Sequence, residues 1–562
     1  MFSDNKNILI GILLFIFCFS LFKNIAYPLI WNDESESTMM ATRVLKYGYP
    51  KVNDGKNRIF APDIPSSDIG YNKKYDACSY ITWGNYYFST IGVTLAQLSD
   101  DFYGKTEIIR LPYAVIGLAG LLIFIFSIYP FFPNKNSYKW FIILFLFMEL
   151  LSISLILHLR DARSYPLVIF ICACFFAVYT HYYFIRKNNY ARYVVLMFLI
   201  LTAAFHTNFM TFGDLIIIYA IHQGLLFGLE WLKLKEWNKR VDLLKLYLKD
   251  AVPLILAVAV AVPFLQFFEI FKTSKAVSEY HHYNFDAYLG NLKTILHFFS
   301  DLEFLYLALI IKAILLGVMY LAKDKPAKIK NQINSKLRDV SFFTLVFILV
   351  YAAMVARIPY YIFARYVIVL QVMMTMMMLV DLFVIADYVN ILAKKGKGKG
   401  VMVPIVVLLG IVFFVNVQSK MEYVKGHIYE LFHPYKGVLD YTIPYIRDNY
   451  KNTDTLTIAT NYEEYSYMYY LGSKVIIGYA LNNVEEDMKH IPDIIMYRKT
   501  WGTDPKYFNE FMQKAKYQRV GFPVADYPVN NIPELDFVIK HLFKTKLATS
   551  EKEQAEMYVR VK

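Results

Sequence analysis

Apolar stretches of about twenty residues recur eleven times along this 562-residue chain, and nothing else in it restricts the fold so strongly. A segment inside hydrocarbon must satisfy its own backbone hydrogen bonds, so the simplest spanning unit is a helix of roughly 20 residues. The stretches lie near 8–28, 107–127, 138–158, 165–185, 191–211, 213–232, 251–271, 302–322, 340–357, 366–388 and 401–419. A hydrophobic content of 57% with only 19% charge is far more apolar than a soluble chain of this length needs. The expected fold class is a polytopic α-helical membrane protein with about 11 transmembrane helices. The first stretch follows Lys6 without a small-residue cleavage signature, so it reads as a retained anchor.

The formal charge of +13 does not point to nucleic acid, because residues 420–562 hold 19 Lys+Arg against 19 Asp+Glu. The excess therefore belongs to the membrane region, where short basic loops prefer the cytoplasm. With the N-terminus inside, Lys135, Lys139, Arg186, Lys187, "KLKEWNKR", "KDKPAKIKNQINSKLR" and "KKGKGKG" all fall on that side. An odd number of spans then sends residues 420–562 to the periplasmic or extracellular face of the plasma membrane. Cys18, Cys78, Cys172 and Cys174 define no disulfide framework, since three of them lie in apolar runs.

Residues 1–419 read as the transmembrane domain and 420–562 as an external soluble α/β domain, with strands expected at 455–459, 474–479, 492–499 and 517–524. A long external loop, 29–106, carries two amphipathic helices expected at the interface, over 34–47 and 80–98. A second external loop, near 272–301, contains "EYHHYNFDAY".

Ionisable residues near hydrocarbon are costly unless paired or used, so those at external helix ends are the leads. Asp33 and Glu34 follow the first span directly. Capping is one reading, with Asp33 as N-cap and Glu36 three residues on; chemistry is the other. "LHLRDARSYPL" (157–167) puts Arg160 and Arg163 on the side that the charge rule disfavours, with Tyr165 beside them. "RIPYYIFARYVIVLQ" (357–371) does the same with Arg357, Arg365 and Tyr366. Planar, permanently charged guanidinium groups suit a phosphate; pairing with Asp161 or with lipid headgroups is the structural alternative. His206, in "FHTNFMTFGDL" (205–215), and Trp83 are further candidates for substrate contact. His281 and His282 are adjacent, which is not zinc-site spacing.

Asp-Glu after the first span, the helix with Ala41, Leu45, Gly48 and Pro50, the Trp-bearing segment, and "RLPYAVIGLAG" opening the second span together resemble the GT-C superfamily of integral membrane glycosyltransferases. Within it, the pattern is similar to the branch of protein O-mannosyltransferases and lipid A aminoarabinose transferase. The segments "ARSYPL" and "ARYVIVL" follow the same branch, whereas its Lys-Pro before the Trp helix is replaced by "KKYDACSYITW". The resemblance implies a sugar donor on a polyprenyl phosphate and transfer to an acceptor hydroxyl with inversion. Asp33 would be the general base, and Glu34 would orient it or hold a divalent cation, Mg or Mn. Arg163 and Arg365, backed by Arg160, Arg357, Tyr165 and Tyr366, would meet the leaving phosphate. The acceptor is left open among lipid, glycan and protein, and no nucleic acid partner is implied.

Three other readings compete, of which a membrane scaffold binding a partner through its C-terminal domain leaves the external arginines unexplained. An O-antigen ligase or polymerase would use a diphosphate donor, and more external arginines would be expected. A lipid or solute transporter would also need many spans and buried polar groups, but its polar residues belong at the midplane and not at one face.

Overall fold

The computed structural model describes residues 2–60, 64, 67–185, 189–321, 334–393, 398–481, 483–501 and 504–561. Arg186, Lys187, most of the basic segment 323–338 and part of "KKGKGKG", on which the expected orientation leans, lie outside the described residues.

Eight helices among the described residues are long and apolar enough to cross a membrane, and three bent pairs raise the number to eleven. The bends are 84° between Lys135–Leu151 and Ile153–Leu159, 46° between Trp237–Asp250 and Val252–Phe267, and 90° between Phe285–Asp301 and Leu305–Leu321. The outer faces of these helices expose large apolar side chains such as Phe15, Phe126, Leu199, Leu316 and Phe414. Lipid is the solvent that suits such a surface. The span Ala364–Val389 is the opposite case, being the most enclosed of the set. Helices Lys135–Leu151, Leu305–Leu321, Ser335–Val355 and Gly398–Phe432 pack against it, and its near-continuous run of Val, Leu and Met follows from that burial.

Glycines let particular helices approach closely. A Cβ on Gly92 would lie 2.9 Å from the Cα of Ile109, and one on Gly120 would lie 2.9 Å from the Cα of Phe170. Helix Phe102–Ile128 is thereby held tightly against both Gly84–Ala96 and Tyr165–Thr180, which fixes the height of Arg110 and Arg163 relative to the external loop.

The long loop 29–106 departs from expectation in one respect. Its helix Asn32–Tyr47 does not lie free at an interface; it is buried between Gly84–Ala96 and the soluble-domain helix Glu464–Leu471. The reason is its surface of small polar residues, which lets a second helix come close. Ser466 Oγ donates to the Ile30 carbonyl at 3.0 Å and lies 3.1 Å from Ser35 Oγ. Leu29 N–H donates to Asp440 at 3.0 Å, and Asn530 Nδ2 donates to the Leu29 carbonyl at 2.8 Å. Backbone groups on both sides of the loop's first turn are thus satisfied by the C-terminal region.

That region holds a five-stranded sheet in the order Lys474–Ile477, Thr457–Thr460, Ile494–Met496, Gln554–Arg560, Tyr517–Ala525. The first three strands run parallel and the last two pair antiparallel. Four of these strands match the expected ones; Gln554–Arg560 is additional, although its alternation of Ala555, Met557 and Val559 with polar residues is a strand pattern. The expected boundary at residue 419 falls inside a helix, since Gly398–Phe432 continues without a break. The four cysteines are free.

Candidate active site

Helix Asn32–Tyr47 starts directly after Trp31, so its N-cap lies two residues earlier than the capping reading of Asp33 with Glu36 requires. Glu34, three residues past Trp31, reaches back and accepts the Trp31 N–H at 3.3 Å. Its carboxylate is also forked by Arg110, with Nε to Oε1 at 2.8 Å and Nη2 to Oε2 at 2.6 Å, and Oε1 accepts the Ala162 N–H at 3.0 Å. Arg110 spends its remaining donor on the carbonyls of Ile25 and Pro28, at 2.9 and 2.8 Å. Both partners are buried, so this is a closed ion pair, hydrogen-bonded at every Arg110 nitrogen and both Glu34 oxygens, that pins the start of the helix.

Asp33, one residue earlier, is left facing a different way. Its Oδ2 lies 3.8 Å from Arg163 Nη2 and 3.5 Å from Arg365 Nη2, and its side chain keeps 24% of its exposure. The two guanidinium groups thus share one carboxylate oxygen at ion-contact distance, and the carboxylate stays reachable from outside.

Each arginine is held by a different element. Arg163 Nη1 donates to the Asp33 carbonyl at 3.1 Å, to Ser37 Oγ at 3.3 Å and to Glu36 at 3.4 Å. Glu36 in turn accepts from the hydroxyls of Tyr80 and Tyr86, so the external loop closes around it. Arg365 stands among the rings of Phe363, Trp31, Tyr366 and Tyr165, at 4.2, 5.5, 5.6 and 5.8 Å from their centroids. Planar guanidinium stacks on aromatic faces at little desolvation cost, which is how a buried arginine is kept in place without saturating its donors.

Glu534 of the soluble domain closes the back of the site. It lies 3.6 Å from Arg365 Nε and 3.5 Å from His158 Nε2, and it accepts the Ala364 N–H at 3.1 Å. Burial opposes its ionisation, but the His158 ring, Arg365 and the Ala364 N–H together hold its carboxyl below the ordinary range. Asp161 is the reverse case: burial first, then the Glu34 carboxylate, push its carboxyl well up, while Trp31 Nε1 donates to it at 3.3 Å. Arg160 sits one layer behind, paired at 3.4 Å with Glu430, which also contacts His541 at 3.2 Å.

The structure therefore brings together Asp33, Arg163, Arg365, Tyr165 and Tyr366, with Glu34 and Arg160 in flanking ion pairs. It does not bring the remaining candidates into this cluster. Arg357 is exposed and has no ion pair among the described residues. Trp83 donates its indole N–H to the Cys78 carbonyl at 2.7 Å and sets its ring edge-on to Phe267 and Phe268. His206 packs edge-on to Phe264, 4.9 Å between centroids. The residues around Asp33 do not suit a divalent cation: both Glu34 oxygens are taken by donors, two guanidinium groups already face Asp33, and no metal-binding group of three or more His, Cys, Asp or Glu occurs among the described residues.

Glu36, Arg110, Asp161, Glu430 and Glu534 were not among the residues expected at the site. Arg110 had a visible signal, a guanidinium at the opening of an apolar run. Glu430 and Glu534 had none, being ordinary acids far along the chain.

Neither a protein-family model nor a curated protein matches the sequence. Among solved structures, the crystal structure of ArnT from Cupriavidus metallidurans in the apo state aligns with 99% of this chain and 98% of its own, at a TM-score of 0.50 and 10% identity. The chain shares the overall fold of this structure. A second ArnT structure from the same organism, bound to undecaprenyl phosphate, aligns over the same shares at a TM-score of 0.48 and 10% identity. In this fold helix Phe102–Ile128 supplies Arg110, the turn before Tyr165–Thr180 supplies Arg163, the turn Ala364–Val367 supplies Arg365, helix Asn32–Tyr47 supplies Asp33, and the soluble domain closes the site with Glu534.

Proposed function

We propose that the protein is an integral membrane glycosyltransferase that takes a sugar from a polyprenyl-phosphate donor and passes it to an acceptor hydroxyl at the outer membrane face. The observation that carries this reading is the single Asp33 oxygen held between Arg163 and Arg365 beside apolar helices. Two fixed guanidinium groups at one point are a receptor for a dianion, and in the resting protein the carboxylate occupies part of that receptor.

On donor entry the phosphate takes over the two arginines, and its prenyl chain lies along the apolar helix surface. Asp33 is then the group next to the anomeric carbon, on the side open to water. Its carboxylate accepts the proton of the acceptor hydroxyl as that oxygen attacks, while the carbon–phosphate oxygen bond breaks and the phosphate leaves with the electron pair. Attack opposite the leaving group inverts the anomeric centre. Arg163 and Arg365 meet the charge that grows on the departing phosphate, in surroundings where burial and aromatic rings reduce competition from water. Glu34 serves this chemistry indirectly, by fixing the helix start from which Asp33 projects. The balanced charge of residues 420–562 and the basic loops of the membrane region support a cytoplasmic N-terminus with the soluble domain outside.

The test is reconstitution of the purified protein in liposomes with a radiolabelled polyprenyl-phosphate sugar and a mixed pool of hydroxyl acceptors. The reading expects labelled product and release of free polyprenyl phosphate in equal amounts. Movement of the labelled lipid between leaflets without any product would instead establish transport.

A further inference from the structure

Beside Arg365 a small cleft runs inward between helices, lined among others by Tyr165, Thr211, Asp214, Tyr351 and Tyr366. Its free space is about 30 Å³, room for a water molecule or one small substituent and far too little for a sugar ring. One of its walls is Asp214, whose residue is only 4% exposed. Unlike the other buried acids of the membrane region, it has no partner. Glu34 has Arg110, Glu430 has Arg160, and Asp381 has Lys312 at 2.6 Å; Asp214 has no ion pair or hydrogen bond among the described residues, and only burial acts on it. Thr211 and Tyr351, beside it, are equally buried.

A carboxyl group left without a partner in an apolar wall costs several kcal/mol of desolvation, which a ligand that donates a hydrogen bond relieves. The position says which ligand. Arg365 borders this cleft on one side and touches Asp33 on the other, so a phosphate on Arg365 places its attached sugar over the cleft mouth.

We propose that Asp214 reads one hydrogen-bond-donating substituent, a hydroxyl or a protonated amine, on the sugar of the donor. The substituent enters the cleft while the ring stays outside it, next to Asp33. Asp214 is thus a specificity-determining residue of the site. The inference rests on the donor class given under Proposed function and adds the point at which the sugar itself is recognised.

Binding, read without turnover, tests it. Affinity is measured for bare polyprenyl phosphate and for polyprenyl-phosphate-linked glucose, mannose, galactose and an unsubstituted amino sugar, in wild type, Asp214→Leu and Asp214→Asn. Wild type is expected to bind at least one glycosylated lipid about 10- to 100-fold more tightly than the bare lipid. Asp214→Leu is expected to erase that preference and leave the bare lipid bound within about twofold, since it touches no phosphate contact. Asp214→Asn keeps the side-chain size and therefore the fold. It retains part of the preference if the substituent is a hydroxyl and loses all of it if the substituent is an ammonium. A preference that survives Asp214→Leu, or a wild type that binds every glycosylated lipid no better than the bare one, overturns the inference. Failure of wild type to bind bare polyprenyl phosphate overturns the donor reading beneath it, a separate and distinguishable outcome.

Discussion

Asp33 Oδ2 and Arg365 Nη2 lie 3.5 Å apart although one residue follows the first span and the other opens one of the last. A contact of such long sequence separation must be held by the whole fold, and here both ends are braced independently. Asp33 is positioned by the Glu34–Arg110 pair, and Arg365 by four aromatic rings and Glu534.

Arg365 acts through a planar fork in an aromatic cage, so charge alone does not replace it. Arg365→Ala and Arg365→Lys are both expected to lower kcat/KM for the donor by about 10²- to 10³-fold, with a smaller effect on acceptor dependence. Arg163→Ala should behave like Arg365→Ala. Steady-state kinetics with donor and acceptor varied separately provide the check, and equal losses on both axes would indicate a general folding role.

The Glu34–Arg110 pair is a stability element. Removing one partner leaves the other charged and buried, so Glu34→Gln and Arg110→Met should each cost about 3–5 kcal/mol. The double variant should lose clearly less than the sum of the two, which thermal unfolding in detergent would reveal as a double-mutant cycle. A Glu34→Gln protein as stable as wild type but inactive would move Glu34 into the chemistry.

In the soluble domain, burial pushes Glu464 up to about 7 from an ordinary value of 4.5. The folded state therefore binds a proton more tightly than the unfolded one, and stability falls as pH rises from about 4.5 to about 7. The loss from this group is about 3 kcal/mol. Glu464→Gln should flatten that part of the pH–stability profile. An unchanged slope in the variant would place the titrating group elsewhere.

Much of the fold was legible in the sequence, because a membrane allows few solutions to a chain with long apolar runs. Each of the eleven expected spans corresponds to a span-length helix or to part of a bent pair. The bends were not legible, since the 84° turn at Ser152 interrupts an apolar run that reads as one helix. At the site, sequence pointed to Asp33, Arg163 and Arg365 by their cost near hydrocarbon, and their convergence is a property of the fold. The partners Glu430 and Glu534 were invisible for a physical reason: nothing local marks an acid whose counter-ion is supplied from another domain. The enclosure of Glu34 by Arg110 was not legible either, since nothing in an Asp-Glu pair says which of the two acids a distant arginine will take.

The most direct measurement is single-turnover sugar transfer by Asp33→Asn, with binding of the polyprenyl-phosphate donor followed on the same preparation. Neutralising Asp33 frees both arginines and removes a negative charge from beside the phosphate, so the donor should bind at least as tightly as to wild type. Transfer should fall by at least about 10²-fold for loss of the general base. Transfer at the wild-type rate, or donor binding that collapses together with it, would contradict the account.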